Sequence, residues 1–390
     1  MQKRFTPDAG GVFPEWEEKT IEEACNVNVS NGTPGDKFIY IELGDVNKYG
    51  LLKRKNLVRK NEAPVSAKRV AKIDDVFFRS VRPGNKGHFH YTNEMSEQVV
   101  MSSAFFQLSM KDGDNEFLYQ TLNTQYFTKQ VLTRCTGTTY PTISLNEFIK
   151  LKIKIPKSME EQRKIAAALA AYDEMIAVKT AKLETWQECK KRMVKEIFGR
   201  TKRFRDDDGN EFPEWEEKML GEVCKYGNTH KTGKNYINVE NMNKDFSGVT
   251  FLEPSLERKG IVYDVGDVLM SNIRPYLRKA WLADRSGICD SDVLVFHLKD
   301  GVDIDSTFLY YTIASSELVK WAMIGARGTK MPRCDKQHLM EKRIFLPCKE
   351  EQQKIGSFLA EIDKEIEIQK EFIKTYAEGK KRMMRELMEG

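Results

Sequence analysis

The heptapeptide Phe13-Pro14-Glu15-Trp16-Glu17-Glu18-Lys19 occurs again, unchanged, as Phe212-Pro213-Glu214-Trp215-Glu216-Glu217-Lys218. An identical run of that length containing a tryptophan does not recur by chance, so the fold has to accommodate two copies of one unit. Fainter echoes keep the same order. Pro156 leads into Glu160-Glu161-Gln162-Arg163-Lys164-Ile165, and Pro347 leads into Glu350-Glu351-Gln352-Gln353-Lys354-Ile355. Asp75-Val76 with Arg82-Pro83 parallels Asp267-Val268 with Arg274-Pro275, and Gly137-Thr138 with Pro141 parallels Gly328-Thr329 with Pro332. The chain therefore reads as a tandem duplication: a variable globular part followed by a better-kept tail.

Each tail reads as one long helix. Steps of alternating four and three residues pick out Ile165, Leu169, Tyr172, Ile176, Lys179, Leu183, Trp186, Lys190, Met193 and Ile197 in the first. In the second they pick out Ile355, Leu359, Ile362, Ile366, Gln369, Ile373, Tyr376, Lys380, Met383 and Leu387. Eight of ten positions are apolar in each, and the polar interruptions fall in the same two slots. Such a narrow stripe signals a coiled coil, because a helix on a globular surface shows a broader apolar face. Prolines stand only before the helix starts, where they do no harm. A narrow stripe needs a partner in water, each buried apolar knob being worth about 1.5–3 kcal/mol before entropy. Residues Ile165, Leu169, Ile176, Leu183 and Trp186 are expected to face Ile355, Leu359, Ile362, Ile366, Ile373 and Tyr376 across an antiparallel pair within the chain. The pair would carry one globular domain at each end, like a dumb-bell. Parallel pairing between two chains is the alternative.

The globular parts show short strand-like runs, Phe38–Ile41, Val76–Phe78, Val268–Met270, Val293–Phe296 and Arg343–Leu346. Helical stretches at 115–132 and 306–322 are mixed in, so each part reads as α+β. The expected boundaries are 1–155 and 201–346 for the globular domains, with helices over 156–200 and 347–390. A length of 390 residues agrees with more than one domain. The seven cysteines are scattered without a Cys-x-x-Cys pair, which disfavours a zinc ribbon or a disulfide framework and suits a reducing, cytoplasmic setting. No signal-like or membrane-spanning apolar segment is evident, so no membrane partner is expected.

Catalytic signatures fail on inspection. Gly227 to Asn235 imitates a phosphate-binding loop but has five residues between its glycines where four are needed. Pro7-Asp8 with Glu17-Glu18-Lys19 imitates a nuclease carboxylate set, yet the second copy lacks the Pro-Asp pair. His88 and His90 have no neighbouring cysteine or carboxylate cluster in the sequence. No catalytic residue and no metal ligand is expected.

Basic residues beside aromatic and turn residues carry more signal. The net charge is only +5. Yet Leu51 to Lys72 holds Lys53, Arg54, Lys55, Arg59, Lys60, Lys68, Arg69 and Lys72 against Glu62 alone. The first copy continues with Arg79, Arg82, Lys86, His88, Thr138 and Tyr140. The second offers Lys231, Lys234, Asn272, Arg274, Tyr276, Arg278, Arg327, Thr329 and Lys330. Such groups suit phosphate neutralisation and groove contacts, so double-stranded DNA is the expected partner. A coiled-coil adaptor with two protein-binding domains is the competing reading.

The doubled Phe-Pro-Glu-Trp openings, the Pro…Glu-Glu-Gln…Lys-Ile helix starts and Gly266-Asp267-Val268-Leu269-Met270-Ser271-Asn272-Ile273-Arg274-Pro275 give the whole chain a resemblance to the specificity subunit of type I restriction-modification enzymes. The first copy departs from the usual Ser-Asn-Ile-Arg-Pro with Arg79-Ser80-Val81-Arg82-Pro83. The resemblance implies two target-recognition domains, each reading half of a split DNA site, and a helix pair that fixes the spacer. It also implies docking of two methyltransferase (modification) subunits and of endonuclease/translocase (restriction) subunits. S-adenosylmethionine is then expected on the methyltransferase, with no cofactor on this chain.

Overall fold

The computed structural model describes residues 4–246, 248–251 and 256–389. Two compact units form, Met1–Lys182 with Gln369–Gly390, and Leu183–Ile368.

The first unit opens with strand β1 (Glu17–Thr20), the helical turn α1 (Ile21–Ala24), β2 (Cys25–Val27), β3 (Lys37–Ile41), β4 (Asn56–Arg59) and β5 (Ala67–Val70). There follow β6 (Val76–Arg79), β7 (Phe89–His90), β8 (Val99–Ser102) and β9 (Phe105–Met110). Helices α2 (Asn115–Leu122), α3 (Gln125–Thr133) and α4 (Leu145–Phe148) lead to β10 (Lys152–Ile155) and the long helix α5 (Met159–Phe198). The second unit repeats this with β11 (Glu216–Met219), α6 (Leu220–Val223), β12 (Cys224–Tyr226), β13 (His230–Gly233), β14 (Arg258–Tyr263) and β15 (Val268–Ser271). Strands β16 (Ala280–Leu282), β17 (Gly287–Cys289) and β18 (Val293–Leu298), then α7 (Ser306–Ile313), α8 (Ser316–Ile324) and α9 (Lys336–Met340), precede β19 (Arg343–Leu346) and α10 (Lys349–Met384).

Among the described residues, two of the three sheets in each unit correspond strand for strand. The pair β1-β10 matches β11-β19, and β2-β9-β6-β7 matches β12-β18-β15-β16. The third sheets share a centre and differ at an edge: β8 pairs parallel with β3 and antiparallel with β5, as β17 bridges parallel to Ile237 through Cys289 and pairs antiparallel with β14, but β4 joins β3 in the first unit and β13 joins β14 in the second. The copies thus diverge at the edges of this sheet, and in the first unit the sheet carries the basic run of 51–72.

The unbroken apolar runs have a direct cause. In β6, Val76 and Phe78 enter one core cluster while Phe77 enters another; in β15, Val268 and Met270 divide from Leu269 in the same way. A strand with both faces buried has no need of polar alternation. The helical stretches 115–132 and 306–322 each hold two helices, α2 and α3 in the first and α7 and α8 in the second. Thr124 and Ser315 cap new helices, their hydroxyls accepting from the Phe127 and Leu318 N–H groups.

The repeated boxes turn out to be fasteners. Arg4 donates to Glu161 at 2.9 and 2.8 Å and to the Pro14 carbonyl at 2.6 Å. Arg203 does the same with Glu351 at 3.3 and 2.8 Å and the Pro213 carbonyl at 2.6 Å. Gln162 donates to the Pro156 carbonyl and accepts the Asp114 N–H, while Gln352 repeats both with Pro347 and Asp305. The motifs are kept because they lock the start of each long helix to its own domain.

The two long helices pair antiparallel within one chain. In the first unit Lys380 grips both oxygens of Asp173 at 2.6 Å, and Lys179 lies 4.3 Å from the centre of the Phe372 ring. Moving forward along α5 thus moves backward along α10. In the second unit the repeat-equivalent pair, Lys190 and Asp363, meets at 2.5 Å. Ile165, Leu169, Ile176, Ile355, Leu359, Ile362, Ile366 and Ile373 are buried, whereas Leu183, Trp186 and Tyr376 are half-buried. Much of the stripe is shared with domain cores. Ile165 and Leu169 join the cluster around Phe117 and Phe148, and Ile355 to Ile366 join the one around Phe308.

Candidate nucleic-acid interface

In each unit the Arg-Pro turn docks on the Gly-Thr-x-x-Pro loop, two signals that lie dozens of residues apart in sequence. The Arg82 N–H donates to the Pro141 carbonyl at 2.7 Å, and Val81 bridges to Thr142. The Arg274 N–H donates to the Pro332 carbonyl at 2.7 Å, and Ile273 bridges to Arg333. Gly137 (φ 85°) and Gly328 (φ 92°) make the receiving loop left-handed, where a side chain is strained.

Both arginines sit in the same unusual backbone state, Arg82 at φ 48°, ψ 54° and Arg274 at φ 52°, ψ 60°. Left-handed backbone at a non-glycine residue costs about 1–2 kcal/mol. Strain repeated at the same place in two otherwise divergent copies points to function. The Arg82 guanidinium lies 4.0 Å from the centre of the exposed Tyr140 ring and donates to the Thr139 carbonyl at 3.3 Å. Arg274 Nε and Asn272 Oδ1 are buried without a hydrogen-bond partner among the described residues.

The expected contact residues separate into three groups. Lys53, Arg54, Thr138, Tyr140, Lys231, Lys234, Tyr276, Arg327, Thr329 and Lys330 are exposed. Arg327 is held at 2.8 Å by Asp335 yet stays open to solvent. Arg82, Arg274 and Arg278 are half-buried on their turns, with Arg278 donating to Ser316 at 3.2 Å and lying over Phe246.

Four expectations need correction. His88 is buried, its ring stacked 4.2 Å from Phe78 and its Nδ1 accepting the Arg79 N–H at 3.1 Å. Burial holds that imidazole well below its ordinary pKa, so it is a neutral core residue and cannot touch a duplex. Lys86 turns inward and donates to the Asn123 and Thr124 carbonyls and to the Thr128 hydroxyl, and burial lowers its pKa to about 8. Arg79 is spent on the carbonyls of Val81 (2.9 Å) and Leu43 (3.5 Å). Asn272 is buried at 7% exposure, and its backbone joins the Asp292 and Cys334 backbones. Arg258 and Lys259 were not singled out, although they are exposed on β14 beside Gly233 and Thr232 of β13. A bare Arg-Lys dipeptide carries no motif, and only the ladder places it beside Lys231.

The decoys resolve structurally. Residues His230–Gly233 form a strand where a phosphate loop would need a turn into a helix. Asp8 pairs with Lys164 at 2.6 Å and Glu18 with Lys152 at 2.8 Å. His90 lies between Glu116 (2.6 Å) and Asp74 (2.8 Å). Among the described residues no group of three or more His, Cys, Asp or Glu side chains is placed to hold a metal ion, and no helix is long and apolar enough to cross a membrane.

Comparison with known proteins is in keeping with the doubled architecture. The Type I restriction enzyme MjaVIII specificity subunit of Methanocaldococcus jannaschii is 26% identical over 319 residues, 76% of this chain and 75% of that protein. Among solved structures, the type I restriction-modification S subunit from M. genitalium aligns with a TM-score of 0.60 at 14% identity, covering 98% of this chain and 99% of that one. A chain solved in work on complex assembly and conformational transition of the type I R-M system aligns at 0.53 with 20% identity, covering 96% and 98%. At such identities these two likenesses speak for the fold alone. Residues 14–185 and again 213–375 match the family described as the type I restriction modification DNA specificity domain. The chain belongs to that family and carries its domain twice.

Proposed function

We propose that this chain is the DNA-specificity subunit of a type I restriction-modification complex and performs no chemistry itself. Each globular unit reads one half of a bipartite duplex target, and the α5–α10 pair sets the unread spacer between the halves. The observation that carries this reading is the twin Arg82 and Arg274 turn, strained alike and docked alike, with Lys53, Arg54 and Tyr140 exposed in one unit and Lys231, Lys234, Tyr276 and Lys330 in the other. Exposed cations beside turns neutralise phosphates and fix orientation, while side chains at turn tips reach base edges. The 40 residues of α5 span about 60 Å, against about 34 Å for one turn of duplex, so two groove contacts a turn or so apart are compatible with a rod of that length.

The partners that follow are two methyltransferase subunits, which carry S-adenosylmethionine and take up the flipped adenine, and the restriction subunits. Address and scaffold are this chain's share. Mapping methylated adenines in cells that express the chain with its methyltransferase tests the reading. Methylation confined to one split sequence of constant spacing supports it. Scattered methylation, or none despite a formed complex, refutes it. A protein adaptor would show no salt-dependent duplex affinity.

A further inference from the structure

A cavity of about 340 Å³ lies wholly within the first unit, and duplex reading makes no use of it. Its lining combines two kinds of chemistry. Tyr49, Tyr119, Ile176 and Met384 supply an aromatic and aliphatic wall. Lys48, Lys86, Lys380, Lys381 and Arg385 supply cations, against only Asp173 and Glu389. Both carboxylates are already engaged: Asp173 accepts from Lys380 and Gln120, and Glu389 accepts the Tyr126 N–H at 2.9 Å. Lys86 has its donors satisfied by Asn123, Thr124 and Thr128. Lys48, Lys381 and Arg385 are exposed, and among the described residues none of the three is held in an ion pair. Three cations beside a Tyr-lined hollow form a receptor for an anion that carries a flat apolar body.

We propose that this cavity binds a small organic phosphate of the nucleoside monophosphate class, its phosphate on Lys48, Lys381 and Arg385 and its ring in the hollow lined by Tyr49, Ile176 and Met384. A volume of about 340 Å³ lies at the small end of ligand sites, which suits one nucleotide and excludes a duplex. The site is independent of the proposed duplex reading, so either can fail without the other. The same chemistry is offered by a free nucleotide and by the 5′-phosphorylated end of a strand.

Titration calorimetry on the full chain tests it, with 5′-AMP, adenosine, inorganic phosphate and a short single strand with or without its 5′-phosphate. The expected result is one 5′-AMP per chain, with adenosine and phosphate each at least about tenfold weaker. Lys381→Ala combined with Arg385→Ala is expected to weaken 5′-AMP at least about tenfold. Ala377→Trp, which fills the hollow without removing a charge, is expected to abolish binding while far-ultraviolet circular dichroism stays that of the parent. Tighter binding of the phosphorylated strand assigns the site to strand ends, and tighter binding of the nucleotide assigns it to a free metabolite. No binding at millimolar 5′-AMP, or binding that survives both variants, overturns the proposal.

Discussion

Replacing Arg274 by glycine separates strain from function, because stability and duplex affinity are expected to move in opposite directions. The residue holds φ 52°, ψ 60° ahead of Pro275, and relief of left-handed backbone is worth about 1–2 kcal/mol. Its Nε is buried without a partner among the described residues, so deletion removes an orphan donor that costs on the order of 1 kcal/mol. Against these gains, glycine adds unfolded-state entropy of about 0.5–1 kcal/mol. The net is a stabilisation of about 1–2.5 kcal/mol, read by urea unfolding. Arg82→Gly is the internal control. That guanidinium has no orphan donor to relieve among the described residues and also has the Tyr140 ring and the Thr139 carbonyl, contacts worth about 0.5–1 kcal/mol each, so its net change is a destabilisation of about 1 kcal/mol. Duplex affinity is expected to fall in both variants, with the slope of log K against log salt shallower by about 0.9, the value of one phosphate contact. If Arg274→Gly destabilised the chain, or left the salt slope unchanged, the reading of this turn as strained for DNA contact would be wrong.

Other consequences are equally open to measurement. Glu351→Ala takes the buried carboxylate from Arg203, which keeps its Phe212 and Pro213 carbonyls, and leaves the Trp215 indole N–H, now 2.9 Å from that carboxylate, without its acceptor; a loss of about 1–3 kcal/mol is expected in chemical unfolding. Glu161→Ala should cost less, because the Trp16 indole N–H already has no hydrogen-bond partner among the described residues. Burial alone would lower the His90 pKa, but its hydrogen bonds to Glu116 and Asp74 prevail and raise it above the ordinary value. A raised folded pKa contributes stability that is full below the unfolded value near 6.5 and is lost as pH climbs through the folded one. The stability advantage of the parent over His90→Gln should therefore shrink as pH rises above about 6.5. Leu183→Asp puts a charge among Trp186 and the α10 stripe in the second unit, and methylation at the parental spacing should be lost. Unchanged methylation there would disprove the ruler role of the helix pair.

The duplication, both long helices and the α+β character were all legible in the sequence, because repeats and periods of two, three and four residues express local geometry and burial. The residues Val76-Phe77-Phe78 and Val268-Leu269-Met270 announce strands buried on both faces, and the stripe from Ile355 to Ile373 announces a helix that needs a partner. Burial of individual polar groups was not legible. Lys86, His88, Arg79 and Asn272 lie in the same polar-looking turns as Arg82 and Arg274, yet the fold turns the first four inward. Their direction depends on acceptors far along the chain, such as the Asn123 and Thr124 carbonyls for Lys86. The sequence likewise shows Arg82-Pro83 and Gly137 to Pro141 as separate signals, and only the 2.7 Å bond from Arg82 to Pro141 makes them one surface. Periodicity constrains what each segment must bury; which distant segment meets it is decided by packing and hydrogen bonding that no local pattern encodes.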